Sequence, residues 1–290
     1  MASQGEPQRS EPVQVVQPIA TPSPAPPPAP PPAPAQNLPT TFVFSGELTQ
    51  GGWIRGQAPG GTVSARLGDQ PLVLDEEGRF FAAFDRDAGP STTLSATRAN
   101  GQRTESPLTI APRQWNIERV NVARRAGGAT EAFLRIRRPE LARIAAAREI
   151  ETGAEGWRQS FIWPATGRIS GRFGSQRIYR GEPGSYHSGL DIARPTGTPF
   201  VAPADGVVVL ATQAPFSLEG NLLIVDHGMG LSSAFLHLSQ IAVREGERVR
   251  QGQQLGQIGA TGRATGPHLH WGLTWRSSRL DPLLFTGPMN

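Results

Sequence analysis

The chain has 290 residues and a formal charge of +4, with 34 glycines, 28 prolines and no cysteine, and all 28 of its basic residues are arginine. Disulfides and thiolate-bound metals are therefore excluded, as is any group carried on lysine, such as a Schiff base, a lipoyl arm or biotin. At roughly 150 residues per domain the length suggests two folded units, and the basic surplus sits in the C-terminal part, with ten arginines against six acids in 113–160 and eleven against eight in 161–290.

Thirteen of the prolines lie in residues 1–40, most densely from Pro22 to Pro34. That stretch lacks the side chains for a core and is expected to be an extended, semi-rigid polyproline II tether. Residues 1–17 show no apolar run of signal-peptide length. Nowhere does an apolar run approach the roughly 20 residues that span a bilayer, so no transmembrane segment is expected.

From 41 to 112, short apolar runs alternate with turn signals. Strands are expected at Phe42–Phe44, Gly51–Ile54, Thr62–Leu67, Leu72–Leu74, Arg79–Phe84, Thr92–Ala99 and Leu108–Ile110, and turns at Pro59-Gly60-Gly61, Gly68-Asp69, Glu77-Gly78, Gly89-Pro90 and Asn100-Gly101. This spacing reads as a small antiparallel β-sandwich of the Ig-like kind. It contains no histidine and no catalytic cluster, so interaction or spacing is its expected role.

Residues 113–160 change character. Pro139 followed by Glu140, with Leu141, Ile144 and Ala145 at helical spacing, predicts a helix that starts there, runs to about Glu151 and ends before Gly153. Its expected role is a short helical connector packed on the C-terminal domain, with Arg143 and Arg148 toward solvent. In 161–290 the segments Phe200–Leu210, Asn221–Asp226 and Val249–Ile258 are strand-like, so the expected fold class is mainly β.

All five histidines fall between positions 187 and 270. The pattern is His187-Ser188-Gly189-Leu190-Asp191, then Leu236-His237-Leu238, then His268-Leu269-His270. Residues two apart on a strand face the same side, which sends His268 and His270 into one pocket. A set of imidazoles and one carboxylate suits Zn²⁺ with a position left open for water or substrate. Gly189 permits a tight path inside the first motif, and Gly259, Gly262 and Gly266 precede the His-x-His strand. His227, in Asp226-His227-Gly228, reads instead as a hydrogen-bonded structural residue.

Residues 161–282 resemble the lysostaphin-type, or LytM-like, zinc metalloendopeptidases of peptidoglycan. The matching blocks are Gly171–Gly174, Tyr186–Ala193, Gly197-Thr198-Pro199, Ala202–Gly206, Gly220-Asn221, His227-Gly228, Leu236–Leu238 and Gly262–His270. The resemblance implies a β-sheet peptidase domain over 161–290 with His187, Asp191 and His270 as zinc ligands. It makes His237 and His268 the catalytic imidazoles beside the metal. Trp271-Gly272 departs from the pattern, since the family more often has an aromatic followed by an acid. Ala202–Gly206 with Gly246–Ile258 also resembles lipoyl and biotinyl carrier barrels, whose function the absent lysine excludes.

The resemblance implies hydrolysis of peptide bonds in peptidoglycan stem peptides or cross-links. The alternative is a catalytically silent module that binds or activates a cell-wall amidase, although members of that kind lose metal positions that this chain keeps. Peptidoglycan is the expected partner, other cell-wall enzymes are candidates for contact with residues 41–112, and nucleic acid is not expected. The implied location is the periplasm or cell envelope. The arginine surplus suits an anionic polymer and a solvated surface equally, and charge alone does not choose.

Overall fold

In residues 43–109, β-branched and aromatic residues alternate with polar ones, and this period places one face of each strand in a shared core. The computed structural model describes Met1, residues 38–123 and residues 130–289; nearly all of the Pro-rich tether expected over 1–40 lies outside the described residues. Seven strands follow: β1 (Val43–Gly46), β2 (Trp53–Gln57), β3 (Thr62–Leu67), β4 (Gln70–Leu72), β5 (Arg79–Ala83), β6 (Ser91–Arg98) and β7 (Arg103–Thr109). They form two antiparallel sheets, β1-β2-β5 and β4-β3-β6-β7, whose buried residues include Ile54, Phe80, Phe81, Leu94 and Leu108. The β3 limits match the expected ones. Two strands lie earlier than expected, at 70–72 and 103–109, because the ladders Arg66↔Pro71 and Ser95↔Glu105 recruit residues outside the apolar runs.

The connector holds a strand that composition did not reveal. β8 (Ile117–Val120) pairs in parallel with β10 (Gln176–Tyr179), which also pairs with β11 (Glu182–Pro183). The helix also starts earlier than expected. α1 spans Glu131–Arg148, with Pro139 in its interior, and Thr130 is its N-cap, accepting the Phe133 N–H through its side chain. A hydroxyl cap followed by an acid in the first turn outweighs the proline as a start signal.

The C-terminal region is built on an eight-stranded antiparallel sheet. Its strands are β9 (Arg168–Gly171), β12 (Leu190–Ala193), β14 (Gly206–Ala211), β15 (Asn221–Gly228), β16 (Leu231–Leu238), β18 (Arg248–Val249), β20 (His268–Trp275) and β21 (Ser278–Leu280). The order is β18-β14-β15-β16-β20-β12-β9, with β21 beside β20. A smaller sheet joins β13 (Pro199–Val201), β19 (Gln254–Gln257) and β17 (Gln240–Ile241). Ile144 and Ala147 of α1 pack on Leu210, Leu222, Ile224 and Ala234, so the helix covers one face of β14, β15 and β16.

The sandwich and the large sheet share one continuous core. Phe285 lies 5.3 Å from both Trp53 and Phe161, ring centre to ring centre. The Trp53 indole N–H donates to the Leu284 carbonyl at 2.8 Å. Buried Arg86 donates to the Gly174 carbonyl and the Gln176 side chain, both at 3.1 Å. Asp281, 1% exposed, is paired with Arg113 at 2.8 Å. The described residues from Leu38 onward accordingly form one compact unit. No helix among the described residues is long and apolar enough to cross a membrane.

His227 is fully buried on β15. Its Nδ1–H donates to the Asp205 carbonyl at 2.7 Å, and its Nε2 lies 2.8 Å from the Ser233 hydroxyl, which also accepts from the Trp271 indole. The neutral ring is satisfied at both nitrogens, and burial pushes its pKa down from 6.5 to about 4. Because the unfolded chain binds the proton first, stability should be level above pH 6.5 and fall between pH 6.5 and 4. A shift of that size corresponds to roughly 3 kcal/mol. Urea titrations across this range should show the fall in the native chain and a flatter profile in His227→Gln; equal slopes would exclude His227 as its source.

Candidate metal centre

Strand register assembles the site from distant parts of the chain. In the β12–β20 ladder Asp191 stands opposite His270, and in the β16–β20 ladder His270 stands opposite Leu236. Directly opposed residues have Cβ atoms about 5 Å apart on one face, so the carboxylate and the imidazole meet without any loop having to fold over. His187 arrives from the segment just before β12. One ligand atom from each of His187, Asp191 and His270 lies within 4.8 Å of the others.

The atoms that converge can all act as acceptors. His187 Nδ1 lies 3.1 Å from the Arg172 carbonyl, which can only accept, so that nitrogen carries the proton and Nε2 presents its lone pair. His187 Nε2 is 3.0 Å from Asp191 Oδ1 and 3.2 Å from His270 Nδ1, while His270 Nδ1 is 2.8 Å from Asp191 Oδ1. Three acceptors in such a cluster require a proton or a cation between them. Burial alone would raise the Asp191 carboxyl, yet where protons rather than a cation sit between these atoms, bonds donated by His187 and His270 hold it well below the carboxylate range. Burial favours neutral His270 and lowers it, whereas at His187 the Asp191 bond outweighs burial and raises it.

The backbone is shaped to let these groups approach. A Cβ on Gly189 would sit 2.6 Å from the Trp271 carbonyl and 2.7 Å from His270 Nε2, and one on Gly171 would strike the Asp191 carboxylate and meet the His187 ring at 3.1 Å. Both positions need glycine for space. Two nitrogen donors and one oxygen donor, in a pocket without sulfur, fit a three-ligand Zn²⁺ site with an open position.

His237 and His268 stand beside this cluster, with ring centres 4.9 Å apart. On a regular strand His237 would face away from Leu236, but both line the same cleft. The reason is its backbone: φ is +64°, a left-handed conformation that costs a non-glycine residue about 1–3 kcal/mol. The Glu219 carbonyl accepts the His237 N–H at 2.8 Å, and the Thr261 carbonyl accepts its Nδ1–H at 2.9 Å, which leaves Nε2 as the acceptor of the ring. His268 likewise donates Nδ1–H to the Gly266 carbonyl at 2.8 Å, and its Nε2 lies 3.7 Å from Asp191 Oδ1.

The chain thus brings together all five residues singled out from the sequence and leaves His227 in the core. It adds a brace that sequence reasoning missed. Arg137 of α1 makes two 2.6 Å bonds to Glu219, and Glu140, 8% exposed, accepts from the Ser217 N–H and hydroxyl at 2.6 Å. The loop that carries the His237-anchoring carbonyl is therefore held by the connector helix. The Thr261 hydroxyl ties the other side, donating to the Leu238 carbonyl and accepting the Asn221 N–H, both at 2.9 Å. Of these, only Gly220-Asn221 left a signal in the sequence. A cleft of about 1150 Å³ opens from His187 and Asp191 toward β10 and Tyr186, a volume that admits a peptide segment.

Comparison with known proteins agrees with this architecture. The model of peptidase family M23 matches residues 185–282. The peptidoglycan DD-endopeptidase ShyA of Vibrio cholerae is 40% identical over 126 residues, which are 42% of this chain and 28% of that protein. The cell division protein DipM of Caulobacter vibrioides is 37% identical over 147 residues, 48% of this chain and 23% of that one. The chain thus spans about a quarter of the length of these relatives. A solved peptidase M23 structure from Pseudomonas aeruginosa is 30% identical and superposes with a TM-score of 0.63, over 82% of this chain and 95% of its own. That match extends well beyond the stretch around the His187–Asp191–His270 cluster, and the chain belongs to peptidase family M23.

Proposed function

We propose that the chain is a zinc-dependent endopeptidase that hydrolyses peptide bonds of peptidoglycan stem peptides or cross-links. The observation that carries this reading is the convergence of His187 Nε2, Asp191 Oδ1 and His270 Nδ1 beside two further imidazoles. His187, Asp191 and His270 would hold the metal. A bound zinc ion would supply Lewis-acid polarisation of the substrate carbonyl and a lowered pKa for the attacking water.

The remaining chemistry belongs to the protein. His237, with Nδ1–H fixed on Thr261, keeps Nε2 as a proton acceptor, and burial holds its pKa low so that the ring starts neutral. His268, fixed on Gly266, offers Nε2 in the same way. Either imidazole, once protonated, becomes a donor to the oxyanion that develops on the carbonyl or to the leaving amine. The cleft beside His187, lined by Arg172, Tyr186 and residues of β10, offers room for an extended peptide.

Relatives named as peptidoglycan DD-endopeptidases support the polymer as substrate class, and with it a location in the periplasm or cell envelope. We assign residues 1–40 as tether, 41–112 as sandwich, 113–160 as connector and 161–290 as peptidase domain. A silent module that binds an amidase needs neither converging acceptors nor a strained His237, so that alternative is not favoured. Incubation with purified cross-linked peptidoglycan, followed by mass analysis of the soluble products, tests the reading. New fragments are expected, and a chelator should abolish them; no fragments with the metal-loaded chain would overturn it.

A further inference from the structure

A second groove, of about 160 Å³, adjoins the metal centre. It shares Ser188, Glu219, Leu236 and His270 with the cleft around the histidines, so it is continuous with the reacting position. Its floor is one face of β20, through His270, Gly272 and Thr274, and its wall is a single stripe of α1, through Arg137, Leu141, Ile144 and Arg148. The helical positions recur at intervals of four, three and four, which keeps them on one face.

The floor is open because of Gly272. A Cβ there would meet nothing closer than 3.6 Å, so a larger side chain would project into the groove rather than into packed protein. At the far end stand two arginines. Arg279 lies opposite Thr274 in the β20–β21 ladder, its guanidinium 5.6 Å from the centre of the Tyr186 ring. Arg148, on the stripe of α1, lines the same groove as Arg279. Arg137 and Arg143 on the same helix are paired with Glu219, Glu140 and Glu245. Arg148 and Arg279 have no such ion pair among the described residues, although Glu219, which lines the same groove and is paired with Arg137, offsets part of the Arg148 charge.

We infer that this groove is a substrate subsite in which Arg148 and Arg279 bind a carboxylate of the peptide, three or four residues from the bond that is cut. The inference rests on the proposed peptidase reading. The distance follows from the strand: His270 to Thr274 spans roughly 13 Å at about 3.3 Å per residue, the reach of about four extended peptide residues. At about 160 Å³ the groove is too narrow for a folded partner and suits a narrow, extended chain end. Guanidinium pairs favour carboxylates through charge-assisted hydrogen bonds. A chain terminus and an acidic side chain both supply this group.

The test compares cross-linked peptidoglycan peptides whose carboxylates are free with the same peptides converted to carboxamides, one at the terminus and one at the side chain. In the metal-loaded chain, kcat/KM should be about tenfold or more higher for the free carboxylate than for one of the two amides, as expected for a charge-assisted contact of at least 1.4 kcal/mol. The amide that loses rate identifies the source. In the double variant Arg148→Gln/Arg279→Gln that ratio should fall below about twofold. The ratio is measured within each protein, so partial unfolding of a variant cancels. A native ratio near one for both amides, or a tenfold ratio retained in the double variant, overturns the inference. If the native chain cleaves none of the peptides, the peptidase reading fails, and calorimetric titration of the same peptides decides the subsite separately. Tenfold tighter binding of the carboxylate form, lost in the double variant, upholds it; equal affinities overturn it.

Discussion

His270→Ala is expected to bring bound metal from about one ion per chain to near zero and to lower peptidoglycan hydrolysis by three orders of magnitude or more. The basis is the arrangement of acceptors. With His270 Nδ1 removed, only His187 Nε2 and Asp191 Oδ1 remain, and these also lose the neighbour that helps hold Asp191 as a carboxylate. A metal ion that polarises a carbonyl contributes several kcal/mol to the transition state, and each 1.36 kcal/mol is tenfold in rate, so a loss of about 4 kcal/mol is the size expected. Elemental analysis after gel filtration, paired with a muropeptide assay, reads both quantities. Wild-type metal content in the variant would remove His270 from the ligand set, and His187→Ala should behave in the same way.

The second large effect separates chemistry from metal binding. His237→Ala should keep its metal and lose turnover by about 10²–10⁴-fold, the range for a group that moves a proton in the transition state. The backbone supplies a companion measurement. A residue at φ +64° is strained unless it is glycine, so His237→Gly should be more stable than His237→Ala by about 1 kcal/mol while being equally inactive. Greater stability without activity would show that the strain is retained for what the imidazole does. Hydrolysis at the native rate in His237→Ala would take this residue out of the mechanism.

The part of this site that can be read from sequence is the part set by short-range geometry. His268 and His270 share a face because strands alternate, and β3 has its expected limits because an alternating run sits between glycine-rich turns. What does not show in the sequence is set by competing signals or by contacts across long separations. Pro139 reads as a helix start because its missing N–H is harmless in a first turn. Thr130 caps the chain before it, however, so that Glu131–Arg138 form the first turns, and the interior proline forgoes the bond to the Arg135 carbonyl.

The bond between Arg137 and Glu219 joins residues 82 apart, and Arg177 and Glu118, in register between β10 and β8, are 59 apart, so neither pairing left a local pattern. The left-handed turn at His237 is also silent in the sequence, since a histidine announces nothing about φ. It follows from the carbonyls of Glu219 and Thr261, which come from two other loops.

The placement of α1 bears on how this protein can be divided in the laboratory. The stretch matched to peptidase family M23 begins at residue 185, whereas the helix that clamps Ser217 and Glu219 ends at Arg148. A fragment trimmed to the matched stretch would keep every histidine and still lack the clamp. Weak activity in such a fragment would then be a property of the cut, and would say little about the whole chain.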